Sequence, residues 1–349
     1  MIEIITDREE WNDTINKIGH YDFYHTYYYH LLSKKDEETH ILIVYSEGEL
    51  IIALPLLLRN IPDTSYRDAT SVYGYAGPIC NTPGTKSDIE LFQKKLHDFL
   101  IAENIISVFT RLHPYINYQE IILNNIGSII SPGKVVHIDL RKQLDIQRQQ
   151  YGSRLKTYVN KARRLYTIFE GKEEKDIQQF MDMYHENMRR VNADEYYFFD
   201  SRYFYQLMIS SFFKVDLLLC SSDETGQMIG GAMFIKTGDI VQYHLSCCKE
   251  QYLHLNPVKL LIDEMRIKAT EEGYTYFNLG GGKGIKSDSL FKFKASFSKE
   301  YRPAKFWKYI VNEEIYEELV MLHKRKLSAT TQSKDLDYFP AYRQLAKTT

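Results

Sequence analysis

The chain reads VDLLLC over 215–220, DETG over 223–226, MIGGAMFIK over 228–236, IVQYHLSC over 240–247, NPVKLLIDEMRIKATEEG over 256–273 and TYFNL over 275–279. Short apolar runs separated by a polar, glycine-bearing turn predict a meander of three strands. In the longer stretch Asn256 stands as N-cap and Pro257 at the first helical position, Leu260, Leu261, Met265 and Ile267 make an apolar stripe, and Gly273 follows the end. The run at 275–279 closes as a strand, so the order is strand, strand, strand, helix, strand.

The same order occurs earlier. Apolar runs at 39–45 and 50–58 flank the turn Ser46-Glu47-Gly48-Glu49, and a third run spans 69–79. Ile89, Phe92, Leu96, Phe99 and Leu100 recur at helical spacing within 87–103, and 105–110 reads as a strand. Helical sequence precedes each block, at 8–33 in the first and at 147–166, 176–190 and 201–213 in the second, where Ile177, Phe180, Met181, Tyr184 and Met188 share one face. A chain of 349 residues suits two such units. The expected division is 1–145, 146–320 and a tail at 321–349 that packs on the first unit.

Composition narrows the function classes. Apolar residues make up 44% and charged residues 26% of the chain, and no run approaches the roughly 20 apolar residues of a membrane span. The start lacks the pattern of a secretory signal, which makes the cytoplasm the expected compartment. Cys80, Cys220, Cys247 and Cys248 fit neither a disulfide framework nor a zinc site, so they read as reduced, packed thiols and no metal is expected. A net charge of −2 gives no global case for nucleic acid or membrane binding, although basic residues collect locally.

Three segments carry more specific information: Tyr73-Gly74-Tyr75-Ala76-Gly77-Pro78, the basic stretch 156–164, and Gly280-Gly281-Gly282 followed by Asp288-Ser289-Leu290-Phe291-Lys292-Phe293-Lys294. Together they resemble the FemABX family over about 21–319. The resemblance implies an α/β fold with mixed sheets, built as two tandem N-acetyltransferase-like (GNAT) domains packed side by side, with the C-terminal strand and tail returning to the first. It also implies transfer of an aminoacyl or acyl group onto an amine of a cell-wall, polysaccharide or related acceptor. Members of the family take amino acids from aminoacyl-tRNA to the peptide of a cell-wall precursor.

Such a transfer needs a neutral amine, an acceptor for its proton and stabilisation of an oxyanion, but no covalent enzyme intermediate. No G-x-S-x-G elbow is present. By the resemblance, Lys294 matches the family lysine placed near the reacting carbonyl; by spacing alone it is one of several solvated lysines beside Lys292 and Lys299. Asp288 takes a proton or, more in keeping with a short acid in a glycine-rich loop, holds the turn. Gly280, Gly281 and Gly282 let a substrate backbone approach or simply end a strand. Tyr73, Gly74 and Tyr75, read as part of a strand, line an acceptor cleft between the units or pack within the sheet. Lys156, Lys161 and Arg163 offer charge to phosphates or form a solvated helix face. Arg111, His113, Tyr197, Tyr243 and His244 complete the substrate-binding candidates.

The sequence departs from relatives at Gln251-Tyr252-Leu253-His254-Leu255-Asn256-Pro257, where ordinary acetyltransferases cradle the pyrophosphate of acetyl-CoA on a glycine-rich turn. There is no glycine, and Pro257 removes an amide donor. The expectation is therefore no tightly bound cofactor and aminoacyl-tRNA rather than acyl-CoA as donor; the acceptor bears an amine, and the basic stretches suit phosphate on the donor or on the acceptor. The wall-precursor enzymes carry a tryptophan and a basic residue on the N-terminal helix, where this chain has Tyr28-Tyr29-His30-Leu31, which leaves the acceptor open. An acyl-CoA-dependent N-acyltransferase and a non-catalytic RNA-binding protein of the same fold stand as alternatives.

Overall fold

The computed structural model describes residues 2–326 and 338–344. The chain forms two compact units, one of Met1–Pro132 with Ala304–Thr349 and one of Gly133–Pro303.

The first part runs β1 (Ile2–Ile5), α1 (Arg8–Ile18), α2 (Tyr27–Ser33), β2 (Thr39–Glu47), β3 (Leu50–Asn60), β4 (Arg67–Thr70), β5 (Ile79–Cys80), α3 (Lys86–Ala102), β6 (Ile105–Leu112) and α4 (Gln119–Leu123). The middle runs β7 (Ser128–Asp139), α5 (Leu144–Gln149), α6 (Ser153–Ala162), β8 (Tyr166–Glu170), α7 (Glu174–Arg190), α8 (Ser201–Met208), β9 (Lys214–Ser222), β10 (Met228–Thr237), β11 (Ile240–Cys248), α9 (Pro257–Glu271), β12 (Tyr276–Gly280) and α10 (Ser289–Lys294). β13 (Glu300–Ile310) and α11 (Glu313–Lys326) follow.

Both units repeat one plan. β2 and β3 pair antiparallel around the expected turn, and β6, after helix α3, joins β4 in parallel. β9, β10 and β11 form the second meander, and β12, after α9, joins β11 in parallel. The strand order is β1-β2-β3-β4-β6-β13 in the first unit, with β5 on β3, and β7-β12-β11-β10-β9-β8 in the second.

Helical spacing explains the layers. α3 lays Ile89, Phe92, Leu96 and Leu100 on a core with Leu54, Leu56 and Val108. In the second unit Val159 of α6 and Leu260, Leu261 and Met265 of α9 cover Phe234, Val241 and Phe277, while α7 covers the opposite face, with the Phe180 ring where a Cβ on Gly231 would stand. At about 25 cal/mol per Å² buried, these fully covered side chains dominate the stabilisation.

Several expectations need correction. The run at 69–79 is not one strand: β4 ends at Thr70, and Gly74 and Gly77 adopt positive φ, which a strand cannot accommodate. The stretch 147–166 breaks into two helices around Gly152, and Tyr166 already belongs to β8. α8 stops at Met208 rather than reaching 213. Asn256 does precede α9, but with φ 45° and no side-chain cap. β1, β7, β8 and β13 had no clear alternating pattern to announce them. Residues 305–310 of β13 pair with β6, so the C-terminal strand completes the first unit's sheet. The described end of the tail packs there too, Tyr342 on Ser107 at 2.7 Å and Arg343 on Asp68. All four cysteines are free and buried.

Candidate active site

β11 and β12 pair only at Ile240↔Tyr276, Val241↔Phe277 and Gln242↔Asn278. Beyond that point the strands part, since β12 turns to β7 through Gly280↔Val136 while β11 continues along β10 to Cys248. The floor of the resulting wedge is a buried amide pair, Asn278 Nδ2 donating to Gln242 Oε1 at 2.8 Å.

The glycine triplet follows directly. Gly280 has φ 76°, and a Cβ on Gly282 would stand 2.1 Å from the Lys286 carbonyl oxygen and 2.2 Å from Asp288 Oδ1. Asp288 closes this loop: Oδ2 accepts from Lys283 N at 2.9 Å and Oδ1 from Phe291 N at 2.8 Å, which caps α10. Burial works to raise its pKa, yet these backbone donors outweigh it and hold the carboxyl below its ordinary value. Asp288 therefore builds the loop.

α10 carries Lys294 at its last position. The residue is 9% exposed, its Nζ donates to the Gly281 carbonyl at 2.8 Å, and the ammonium lies 5.6 Å from the centre of the Tyr243 ring. Burial lowers its pKa to about 8, with Asp288 pulling the other way. Lys292 and Lys299 are exposed, so the motif buries one lysine of three. Tyr243 itself shares a hydrogen bond with Ser246, and burial raises its pKa. The structure thus brings Lys294, Asp288, Gly280, Gly281, Gly282 and Tyr243 together at one end of the wedge.

Two features lay beyond sequence reasoning. β11 carries a bulge at His244, whose Nε2 lies 2.7 Å from the Tyr203 hydroxyl. Tyr197 sits in a strap between α7 and α8, its carbonyl accepting from Tyr184 at 3.0 Å, and Asp194 of that strap reaches Lys283 of the glycine loop at 3.4 Å. Nothing in the spacing of 191–200 announces this contact.

The basic stretch divides between an anchored arginine and solvent-facing lysines. Arg163 is engaged by Asp263 at 2.7 Å and Glu264 at 2.5 Å, which anchors α6 to α9. Lys161 is exposed and Lys156 half-buried on α6. Arg154 and Lys259 approach the Tyr158 ring at 5.8 and 4.1 Å, which extends the cationic surface to the start of α9.

In the first unit the structure places Tyr73, Gly74 and Tyr75 in the loop after β4. A Cβ on Gly74 would lie 1.9 Å from Tyr24 Cε1, and the Tyr73 carbonyl accepts from Tyr29 at 3.0 Å. Tyr24 and Tyr75 meet edge to face at 6.0 Å. With φ 122° at Gly74 as well, Gly74→Ala is expected to destabilise the protein by about 1–3 kcal/mol, read as a lower thermal midpoint. His113 is buried with Nε2 2.8 Å from Asp22 Oδ2, and Arg111 lies against Phe109 and Phe306 at 5.6 and 5.7 Å. Both hold the first unit's own architecture.

Residues 148–293 match the family described as Acetyltransferase (GNAT) domain. No curated protein matches the chain. Among solved structures, FemX aligns over 90% of this chain and 99% of its own with a TM-score of 0.69 at 13% identity. L-PGS from Bacillus licheniformis aligns over 91% and 96%, with a TM-score of 0.58 at 13% identity. A tandem GNAT protein from the clavulanic acid biosynthesis pathway aligns over 89% and 99%, with a TM-score of 0.50 at 10% identity. The second unit is an acyltransferase domain of the GNAT class. The chain as a whole has the FemABX-like tandem GNAT fold. No helix among the described residues is long and apolar enough to cross a membrane.

Proposed function

We propose that the second unit moves an aminoacyl or acyl group from an ester or thioester donor to a primary amine by direct transfer. The observation that carries this reading is Lys294, a buried ammonium set where β11 and β12 part. A carbonyl in the wedge beside it would gain a fixed positive charge for its oxyanion in surroundings largely free of water. An extended donor chain would lie along β11 where its pairing with β12 ends.

Aminoacyl-tRNA is the donor we favour. α9 starts with Pro257 after a glycine-free turn, a poor cradle for the pyrophosphate of coenzyme A, whereas the cations of α6 and Lys259 suit a phosphate-rich donor or acceptor. The resemblance to FemABX enzymes makes a cell-wall or polysaccharide amine the acceptor to offer first.

The test offers the full chain a pool of aminoacyl-tRNAs and, separately, acetyl-CoA, with a lysine-containing peptide, ethanolamine and hydroxylamine as acceptors. Amide formed from aminoacyl-tRNA but not from acetyl-CoA is the expected result. Amide from acetyl-CoA alone would move the reading to a coenzyme A-dependent enzyme. Salt-sensitive RNA binding with no amide from any pair would replace it with the non-catalytic alternative.

A further inference from the structure

The bulge in β11 changes which face its residues serve. Pairing with β10 slips between Met233↔Leu245 and Phe234↔Tyr243, which leaves His244 as the extra residue. Before the slip, Val241 and Tyr243 face the core made with α6 and α9; after it, Ser246, bonded to Tyr243, and Cys248 keep that face. Cys247 meets the Phe180 carbonyl of α7 and His244 meets Tyr203 of α8. Alternation with Tyr243 puts His244 on the α7–α8 face, and the extra residue there lets Cys247 share that face while the Tyr243 ring lies beneath Lys294 on the other.

The imidazole is held rather than free. Its Nε2 shares a 2.7 Å hydrogen bond with the Tyr203 hydroxyl, the two rings are stacked at 6.1 Å, and Phe199 stacks on Tyr203 at 4.1 Å. Tyr203 is 4% exposed, whereas His244 is half-buried, so the accessible part of the pair is the imidazole. Tyr203 is its titratable partner on the α7–α8 side, where His185 bonds the Phe199 carbonyl; Tyr243 and Lys294 lie across the strand, and Asp194 and Lys283 pair where the strap meets the glycine loop.

We propose that His244, positioned by Tyr203, takes the proton of the attacking amine, which enters from the α7–α8 face while the carbonyl lies on the Lys294 side. This deepens the transferase reading and rests on it. The amine lone pair forms the new C–N bond as the carbonyl π pair moves onto oxygen beside Lys294. The nitrogen, now cationic, gives one proton to the imidazole. The oxyanion then collapses, the C–O bond of an ester or C–S bond of a thioester breaks, and the leaving oxygen or sulfur takes the proton back from the imidazolium. A positioned imidazole can serve both halves of this exchange, and such proton transfer contributes about 10²–10⁴-fold.

The test compares wild type, His244→Gln and Tyr203→Phe as full chains, with the aminoacyl-tRNA pool and acetyl-CoA as donors and ethanolamine and hydroxylamine as acceptors, from pH 5 to 9. His244→Gln is expected to lower kcat about 10²-fold or more with KM little changed, to erase the acid limb of the kcat/KM profile once that profile is expressed per neutral amine, and to regain turnover on addition of imidazole. Tyr203→Phe is expected to keep the limb but displace its midpoint, the signature of a positioning residue. A His244→Gln enzyme that keeps the acid limb, or stays within about threefold of wild type, would overturn the proposal. If that variant loses its far-UV CD spectrum, Tyr203→Phe decides, and an unmoved limb overturns it. Wild type silent with every pair would overturn the transferase reading itself, and this proposal with it.

Discussion

Replacing Lys294 with Met is expected to lower turnover about 10²–10³-fold, the usual consequence of removing a fixed group that faces a developing oxyanion. The side chain is nearly covered and bonded to the Gly281 carbonyl, so the charge is already desolvated and oriented before any substrate arrives. Met keeps the length and the packing against Tyr243, so the variant removes charge and little else. Full turnover in this variant would end the assignment.

Its pH dependence separates two roles for the same atom. Burial brings the ammonium down to about 8, so a charge-stabilising lysine loses activity as pH rises through that value, whereas a lysine acting as base would gain it. Hydroxylamine, a weakly basic acceptor, keeps its own titration out of this window. The stability sign runs opposite. A buried lysine with a lowered pKa disfavours folding fully below about 8 and less so toward the ordinary lysine value, where the unfolded chain alone holds the proton. Lys294→Met should therefore unfold at equal or higher urea than wild type at pH 7, by up to about 3 kcal/mol. Lost activity with retained or raised stability is the mark of a residue kept for function.

How much of this was legible follows from where each signal is local. The repeat was readable because β2–β3 and β9–β11 alternate short apolar runs with glycine turns, and α3 and α9 carry stripes at helical spacing. Lys294 was readable only through the motif around it, since Lys292 and Lys299 share its composition and burial alone distinguishes them. Asp288 could be placed as a turn-former because capping is a matter of three residues. The bulge at His244 could not, because it is set by the neighbouring strand's register. The Asp194–Lys283 contact was equally hidden, since it joins residues far apart in sequence. The Tyr-Gly-Tyr loop was misread as strand because aromatic residues carry strand propensity while Gly74 and Gly77 require the left-handed region.

The second large effect concerns a charge with no chemical step to perform. Asp263 is fully buried on α9, where Oδ1 accepts from the Tyr151 hydroxyl at 2.7 Å and from Arg266 at 3.0 Å, and Oδ2 from Arg163 at 2.7 Å. Arg266, 2% exposed, also donates to the Leu144 carbonyl and Gln147, so one carboxylate ties α5 and α6 to α9. Asp263→Ala leaves that guanidinium buried and uncompensated, which is expected to cost about 3–5 kcal/mol. Asp263→Ala with Arg266→Met removes both charges and is expected to recover most of the loss, because a buried pair contributes little beyond an apolar replacement. Burial works to raise the pKa of Asp263, but Arg266, Tyr151 and Arg163 together hold it below its ordinary value. Its contribution is therefore present above the ordinary carboxylate range and lost as pH falls through the lowered value, so the Asp263→Ala penalty should shrink in acid. Both tryptophans, Trp11 and Trp307, lie in the first unit, so far-UV CD in urea is the measurement to use. A double variant no more stable than Asp263→Ala would show that shape, rather than charge compensation, sets the cost.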